Sequence, residues 1–272
     1  MSEDYSIEGL KRVCIEIRKD ILNMLMEAGS GHTGGSLSCV EILAALYYKT
    51  LNIDLKKLDW PKRDRFILSK GHGCPALYAT MAHLGFFDRA ELVTLRKFGS
   101  RLQGHPNRRR LPGLESSSGS LGQGLSIANG IAMNLKLEKI DAKVFCLLGD
   151  GELDEGQVWE AAMTASHYKL NNLCAIIDRN KLQIDCKTEE IMALEPVEDK
   201  FKAFNWHVIT VDGHNLEVLV NIFNKTGSFD KPLCVIANTV KGKGVSFIEG
   251  KVDWHGIAPK PNEFDAAVKE LG

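Results

Sequence analysis

Four short apolar runs, each separated from the next by a helical segment, constrain the fold of this 272-residue chain more than any other feature. The runs occupy residues 144–148, 173–177, 207–211 and 233–237. Continuous apolar strands that alternate with helices are typical of a mostly parallel sheet covered by helices on both faces. We therefore expect an α/β fold with right-handed crossovers, in which ligands bind at the carboxyl ends of the strands.

The rest of the sequence predicts a single domain over residues 1–272. No repeat, linker or low-complexity tract divides the chain, and 44% of its residues are hydrophobic. A fold of this size can bury about 75% of the surface that its unfolded chain exposes, so structural metals and disulfides are not needed. Apolar spacing predicts helices over 7–28, 37–48 and 75–84, and Asp88 is placed to cap another segment that runs to about residue 97.

Charge and cysteine content exclude several classes of protein. The chain has 34 Lys and Arg against 35 Asp and Glu, and this balance argues against nucleic-acid or acidic-membrane binding as the main role. Its seven cysteines are scattered and form no C-x-x-C pair, which indicates a reduced protein. The N-terminus has no signal-peptide pattern, and no run approaches the roughly 20 apolar residues of a membrane span. These features predict a cytoplasmic location.

Two of the predicted strands are followed by potential metal ligands. Asp150 lies between two glycines after the first strand, and Asn180 follows the second. The carboxyl ends of consecutive parallel strands bring such oxygen atoms together. Mg²⁺ is normally held by one or two protein oxygens together with substrate phosphates. The pair therefore predicts a magnesium site that binds a diphosphate, although an Asp in an ordinary turn is the simpler interpretation of Asp150 alone.

The segment 99–124 has no regular pattern and contains two prolines and many Gly and Ser residues. Long loops in compact domains are usually functional. Its last part, 118–124, has the glycine order of a dinucleotide fingerprint reversed, and the chain contains no P-loop motif. Small residues at this point would instead let a flat ring approach the backbone.

Apart from His214, which is expected in a strand-to-helix turn, four of the eight histidines stand beside glycines, in loops where buried core histidines are uncommon: His32, His72, His105 and His255. We expect them to be functional. A zinc site is poorly supported, because the spacing that zinc ligands show is absent. The remaining four are predicted to be structural: His83, His167, His207 and His214.

Seven motifs in order across nearly the whole chain resemble the thiamine-diphosphate-binding half of transketolases. They are GSGHTGGSLS (29–38), LSKGHGCPALYA (68–79), QGHP (103–106), SGSLGQGLSIANGIAM (118–133), GDGELDEGQVWEA (149–161), DRNKLQID (178–185) and KGKGVSF with DWHG (241–247 and 253–256). Transketolases usually carry this domain, a pyrimidine-binding domain and a C-terminal domain in one chain. The present chain therefore resembles the N-terminal subunit of a split transketolase.

The resemblance implies a fold, an activity and a partner. The fold is the thiamine-diphosphate-binding (diphosphate-domain) α/β fold. The activity is the transfer of a two-carbon ketol unit from a ketose phosphate to an aldose phosphate with thiamine diphosphate and Mg²⁺ or Ca²⁺. In this family a glutamate of the pyrimidine domain activates the cofactor. The resemblance thus implies a C-terminal subunit that carries this glutamate, in a heterotetramer with two copies of each chain.

The resemblance also implies a role for each matched residue. Asp150, Asn180 and the backbone carbonyl of Leu182 would bind the metal. The other cofactor contacts would be His72, Gly151 and His255 at the diphosphate, Gly119 and Leu121 at the rings, and Ile184 at the thiazolium. His32, His105 and His255 would line the substrate channel, and Glu155 would link paired sites near the subunit contact. The simpler interpretation of Glu155 is a first-turn residue that the helix dipole favours.

Thr33 and Ser120 stand where many full-length relatives carry proline, so substrate choice is the property they would affect.

Two alternatives to the transketolase function stay open. One is a related thiamine-diphosphate synthase of the deoxyxylulose-phosphate type, which needs no channel of three histidines. The other is a non-catalytic cofactor-binding scaffold, against which the intact Asp150, Asn180 and His72 weigh.

Overall fold

The centre of the molecule is a five-stranded parallel sheet in the order β1–β2–β3–β7–β6. The computed structural model describes residues 5–184 and 186–272; residues 1–4 and Asp185, which ends the 178–185 motif, lie outside the described residues. The sheet strands are β1 (Arg65–Leu68), β2 (Val144–Gly149), β3 (Leu173–Arg179), β6 (His207–Asp212) and β7 (Leu233–Asn238). A separate antiparallel hairpin joins β4 (Leu182–Gln183) to β5 (Cys186–Lys187).

Ten α-helices accompany these strands in the described ranges. They are α1 (Ile7–Ala28), α2 (Thr33–Leu37), α3 (Val40–Ala45), α4 (Cys74–His83), α5 (Gln123–Leu137), α6 (Gly156–His167), α7 (Thr188–Ile191), α8 (Val197–Ala203), α9 (Leu216–Phe223) and α10 (Pro261–Leu271). A π-helical turn (Leu46–Thr50) follows α3, and 3₁₀ turns span Gly71–Gly73, Arg89–Thr94, Gly151–Asp154 and Val252–Trp254. None of the helices in these ranges has the length and apolar character that a membrane crossing needs.

Alternate residues of each central strand enter two separate hydrophobic cores. In β2, Phe145 and Leu147 pack in one core with residues of α1, α3, α4 and α9. Val144, Cys146 and Leu148 of the same strand pack in the other core, with α5, α6 and α8. Every residue of β2 and β3 is buried, as a strand covered on both faces requires. The predicted parallel sheet with helices on both faces is therefore confirmed.

The predicted opening helix has the same bounds in the structure because both of its ends are capped. The Ser6 side chain accepts a hydrogen bond from the Gly9 amide at its start. Gly29 adopts φ +62° at its end and donates to the Leu25 carbonyl, a geometry that favours glycine. Between these caps the apolar face of α1 packs into the first core.

The sequence prediction differs from the structure at several elements. The segment that Asp88 caps is a 3₁₀ turn that ends at Thr94 and does not continue to residue 97. The predicted helix 37–48 is divided into α2, α3 and a π-helical turn. Ser36 and Ser38 donate to carbonyls in the preceding turn, and such bonds compete with regular helix. Strand β1 was not predicted, because it contains only four residues and begins at Arg65; it pairs with β2 at the edge of the sheet.

The irregular segment predicted over 99–124 is a packed loop up to Gly122, where α5 is about to begin. The Ser118 amide donates to the Pro106 carbonyl, so the two ends of the loop lie side by side. Leu102 and Leu111 anchor it in the first core. This packing places His105 of the QGHP motif beside Gly119.

Candidate functional site

A cavity of about 240 Å³ opens at the carboxyl edge of the sheet. It is bounded by the segments that follow β1, β2, β3 and β7, together with the loop before α2 and the packed loop before α5. Eleven predicted site residues line it: His32, His72, His105, Gly119, Leu121, Asp150, Gly151, Asn180, Leu182, Ile184 and His255. Ligands are expected at this edge of a parallel sheet.

Of the residues singled out for the site, only Glu155 lies outside the cavity. It is exposed and stands between the turn Gly151–Asp154 and α6. Its side chain packs against the loop, since a Cβ atom on Gly122 would lie 2.7 Å from the Glu155 Cβ. Glu155 is thus available to a neighbouring chain and not to a ligand inside this cavity.

Asp150 and Asn180 come together at neighbouring strand ends, as the βαβ pattern predicted. Asp150 is buried; its Oδ2 accepts from the Lys181 amide at 2.5 Å and from the Arg179 guanidinium at 3.1 Å. Burial, together with the charge of Asp178, raises the pKa of Asp150, and the hydrogen bond from Lys181 opposes the shift. The Asn180 amide oxygen accepts from the Leu182 amide at 3.1 Å.

These atoms suit a hard divalent cation. The Asp150 carboxylate and the Asn180 amide oxygen, with the carbonyl of the cavity-lining Leu182, would give an all-oxygen donor set of the kind that Mg²⁺ and Ca²⁺ prefer. Within the described ranges, no three His, Cys, Asp or Glu side chains gather as they would around a transition metal. The donor chemistry therefore fits the metal that the sequence predicts.

Two lysines that the sequence analysis did not assign bring positive charge to the cavity. The Lys70 ammonium is buried; it donates to the Gly35 carbonyl at 2.8 Å and pairs with buried Asp178. Burial disfavours its charge, but Asp178 outweighs burial and raises the pKa of Lys70. The Lys241 ammonium lies 2.9 Å from the His255 Nδ1. Burial and the charge of Lys70 lower the pKa of Lys241 to about 8.

The four histidines form one cluster in the cavity wall. The ring centre of His32 lies 5.3 Å from that of His72, 6.3 Å from that of His105 and 5.5 Å from that of His255. Burial and nearby positive charges lower the pKa of His32 and of His255 to about 4, and they also lower the pKa of His72 well below its usual value. At neutral pH these rings are uncharged, so each offers one donor and one acceptor nitrogen.

One buried nitrogen of this cluster has no partner among residues 5–184 and 186–272. The Nδ1 of His32 is buried and makes no hydrogen bond. Buried polar atoms normally find a partner, and an exception needs an explanation. A bound ligand would supply one, so the observation supports a ligand in this cavity.

The loop before α5 contributes glycine and aliphatic residues to the wall of the cavity. Gly119 has φ +143°, and a Cβ atom there would lie 3.2 Å from the His105 ring. Leu121 and Ile184 supply the apolar surface, and Ile184 is 55% exposed. A wall of glycine and aliphatic groups can accept the flat face of a ring.

Glu152 connects this loop to the strands. Its carboxylate accepts from the amides of Gly122 at 2.8 Å and Gly149 at 3.0 Å and from the Ser69 hydroxyl. The sequence analysis missed Glu152, although it is part of the quoted 149–161 motif. The other unpredicted lining residues, besides the two lysines, are Gly35, Gly149 and Gln183.

The four histidines predicted to be structural lie away from the cavity lining. His83 contacts Asp20 at 2.8 Å, and His207 stacks on Phe229 with a centroid distance of 3.8 Å. His167 is exposed at the end of α6. His214 is half-buried and contacts Glu41 at 2.9 Å.

Comparison with known proteins agrees with this geometry. Residues 11–272 match the family described as "Transketolase, thiamine diphosphate binding domain". The chain is 46% identical to the 6-deoxy-6-sulfo-D-fructose transketolase subunit SqwG of Clostridium sp. (strain MSTE9), over 94% of this chain and 93% of that protein. It is 43% identical to a subunit of the apulose-4-phosphate transketolase of Phocaeicola vulgatus, over 97% and 94% of the two chains.

Longer transketolases match over part of their length. The chain is 39% identical to transketolase of Homo sapiens, over 99% of this chain and 43% of the human protein. The crystal structure of transketolase from Campylobacter jejuni superposes with a TM-score of 0.91 at 32% identity, over 98% of this chain and 43% of that one. The resemblance drawn from the seven motifs is thereby confirmed, and the chain belongs to the transketolase family as a thiamine-diphosphate-binding domain.

Proposed function

We propose that this chain is the cofactor-binding subunit of a transketolase that moves a two-carbon ketol unit between sugar phosphates. The observation that carries the proposal is the cavity itself. It joins an all-oxygen metal donor set, two lysines and four uncharged histidines at one sheet edge. The match to two proteins named as transketolase subunits, over nearly their whole lengths, supports it.

Each group of cavity residues has a task toward the cofactor in this proposal. Asp150, Asn180 and the Leu182 carbonyl hold Mg²⁺ or Ca²⁺, which neutralises the diphosphate. His72, Gly151 and His255 contact the diphosphate, and Gly119, Leu121 and Ile184 receive the rings. When bound, thiamine diphosphate supplies the carbanion and the electron sink, while the protein orients the reactants.

The histidines act on the sugar. His32, His105 and His255 donate hydrogen bonds to ketose hydroxyls and to the carbonyl oxygen as negative charge develops on it. Because His32 and His255 have pKa values of about 4, they are neutral donors that do not compete with the metal for the diphosphate. Loss of one such donor typically costs about 2.7 to 4 kcal/mol of transition-state stabilisation.

The donor that we propose is a ketose bearing an anionic group. The names of the two similar subunits specify 6-deoxy-6-sulfo-D-fructose and apulose-4-phosphate, so relatives at 46% and 43% identity serve different sugars. We further propose a partner subunit with the pyrimidine-binding domain, in a heterotetramer with two copies of each chain. Glu155, exposed beside the cavity, is placed to meet a neighbouring chain.

The three channel histidines favour ketol transfer over the alternative synthase of the deoxyxylulose-phosphate type, whose decarboxylating chemistry does not need them. The complete metal donor set argues against a scaffold that has lost its cofactor.

Calorimetric titration of the full chain with thiamine diphosphate and Mg²⁺ tests the proposal. Asp150→Ala removes a metal ligand, so we expect metal-dependent cofactor binding to disappear. Asp64→Ala is the matched control, since Asp64 is also a buried carboxylate that accepts two backbone amides, but at the opposite end of β1. Asp64→Ala should reduce stability and leave affinity in the folded fraction unchanged. Retained affinity in Asp150→Ala would mean that the cofactor binds elsewhere.

A further inference from the structure

A buried hydrogen-bonded centre stands behind the cavity wall. Arg18 of α1 and Glu41 of α3 form a bidentate ion pair, with both N–O distances at 2.8 Å. The Glu41 Oε2 also lies 2.9 Å from the Nδ1 of His214, in the loop after β6. None of these three side chains lines the cavity, so their influence on a ligand must pass through other residues.

The segment 240–243, which follows β7, is held at both ends by this centre. At one end the Val240 amide donates to the His214 Nε2 at 2.9 Å. At the other end the Arg18 Nε donates to the Lys243 carbonyl at 2.8 Å. A single carboxylate, that of Glu41, therefore orients both side chains that fix the segment.

The hydrogen bonds also define the tautomer of His214. Its Nε2 accepts a hydrogen bond from the Val240 amide, so the ring hydrogen is on Nδ1, which donates a hydrogen bond to Glu41. The two ring nitrogens therefore cannot swap partners, because one of them donates and the other accepts. The ring thus transmits the position of Glu41 to the backbone at Val240.

Lys241 lies within the fixed segment and lines the cavity. Its ammonium is 2.9 Å from His255, and the carbonyl of Gly34 accepts from the Gly242 amide at 3.0 Å. A Cβ atom on Gly34 would approach the Lys241 Cγ to 2.9 Å. The side chain is therefore enclosed, and a shift of its backbone would displace the charge from the cavity.

We infer that Glu41, with Arg18 and His214, is a positioning centre that fixes Lys241 and His255 against the cofactor's diphosphate. The inference rests on the proposed function, because it assigns these residues to the same cavity. Arg18, Glu41 and His214 are positioning residues, since none of them lines the cavity.

Two substitutions of His214 separate its two contacts. Asn at this position can donate to Glu41 but cannot reach the Val240 amide, whereas Gln carries an acceptor near the position of Nε2. His214→Asn should therefore increase the exchange rate of the Val240 amide and weaken thiamine diphosphate binding by about five- to tenfold, because a partly buried N–H loses its acceptor. His214→Gln keeps the acceptor for Val240 but loses the contact with Glu41, so it should restore both properties only in part, to values between those of the wild type and His214→Asn.

His83 provides the matched control. It contacts Asp20 at 2.8 Å, and its side chain is 14% exposed, as is that of His214. It has no link to segment 240–243 in the described contacts. His83→Asn should lower the melting temperature in the way that His214→Asn does, with wild-type Val240 exchange and wild-type affinity.

The measurements are hydrogen–deuterium exchange over 239–250 and calorimetry with thiamine diphosphate and Mg²⁺ on the full chain. If His214→Asn does not fold, Arg18→Lys replaces it, since lysine keeps the charge beside Glu41 but lacks the donor to Lys243. Wild-type exchange and affinity in the folded variant would overturn the inference, as would an equal loss of affinity in His83→Asn. A wild-type chain that binds no thiamine diphosphate with Mg²⁺, either alone or together with its partner subunit, would instead overturn the proposed function.

Discussion

Uncharged imidazoles line the cavity because the surrounding wall is both buried and positively charged. Burial and the charge of Lys70 lower the pKa of His72 far below its usual value. The unfolded chain exposes the same ring to water, where its pKa is about 6.5. The unfolded state therefore binds a proton below pH 6.5 that the folded state does not bind. Folding stability consequently falls as the pH decreases below 6.5.

This difference can be measured with His72→Gln. One such histidine contributes a slope of at most about 1.4 kcal/mol per pH unit to the free energy of unfolding. In urea unfolding at pH 7, 6 and 5, the free energy of unfolding of the wild type should become smaller as the pH is lowered. The variant should show a smaller change over the same range. His167→Gln, at an exposed position of α6, should keep the wild-type slope. If the free energy of unfolding depended on pH equally in His72→Gln and in the wild type, the lowered pKa of His72 would be contradicted.

The sequence predicted the site residues that follow strands and missed those that act across the fold. Asp150 and Asn180 were found because each follows an apolar run, and consecutive strand ends meet in space. The Lys70 pair with Asp178 joins positions that are 108 residues apart, and no local pattern connects them. Lys241 had a usable signal, since it follows the last strand.

The bounds of an element could be predicted where they depend on local propensity and capping residues. They could not be predicted where they depend on contacts with distant parts of the chain. Helix α1 carries its own caps, so its bounds could be predicted from the sequence. Residues 65–68 form a strand because they pair with β2. A segment of four residues is too short for its sequence pattern to predict that pairing. The separation of α2 from α3 depends on serine hydrogen bonds, one of which reaches Asp178 of β3 at 2.6 Å.

The contact of α5 with β1 gives a prediction at the scale of elements. A Cβ atom on Gly124 would lie 2.8 Å from the Ser69 Cα and 2.4 Å from its Cβ, so the strand end itself would have to move. Gly124→Ala should lower the free energy of unfolding by about 1 to 3 kcal/mol. Gly130→Ala, in the same helix with no atom within 4 Å, should raise it by up to about 1 kcal/mol. Chemical denaturation measures both, and equal effects would contradict the close packing.

At the scale of the whole molecule, part of the rim of the cavity is exposed. His105 is exposed although it lines the cavity, and Ile184 is 55% exposed. Exposed apolar groups at the rim of a site mark a surface that a partner can cover. The chain spans 43% of human transketolase. Among the described lining residues the only glutamate is Glu152, whose carboxylate already accepts two backbone amides, so it is not free to activate a cofactor.

Ketol transfer should therefore require a second polypeptide. We expect the purified chain to transfer no two-carbon unit with thiamine diphosphate, Mg²⁺ and a ketose phosphate. Addition of a protein that matches the pyrimidine-binding part of transketolases, such as the product of a neighbouring gene, should produce activity that saturates at one partner per chain. Asp150→Ala should still assemble with this partner in size-exclusion chromatography and remain inactive, because the metal ligand is lost while the rim is unchanged. Transfer by the chain alone would show that its own residues activate the cofactor, and the partner would then have no catalytic role.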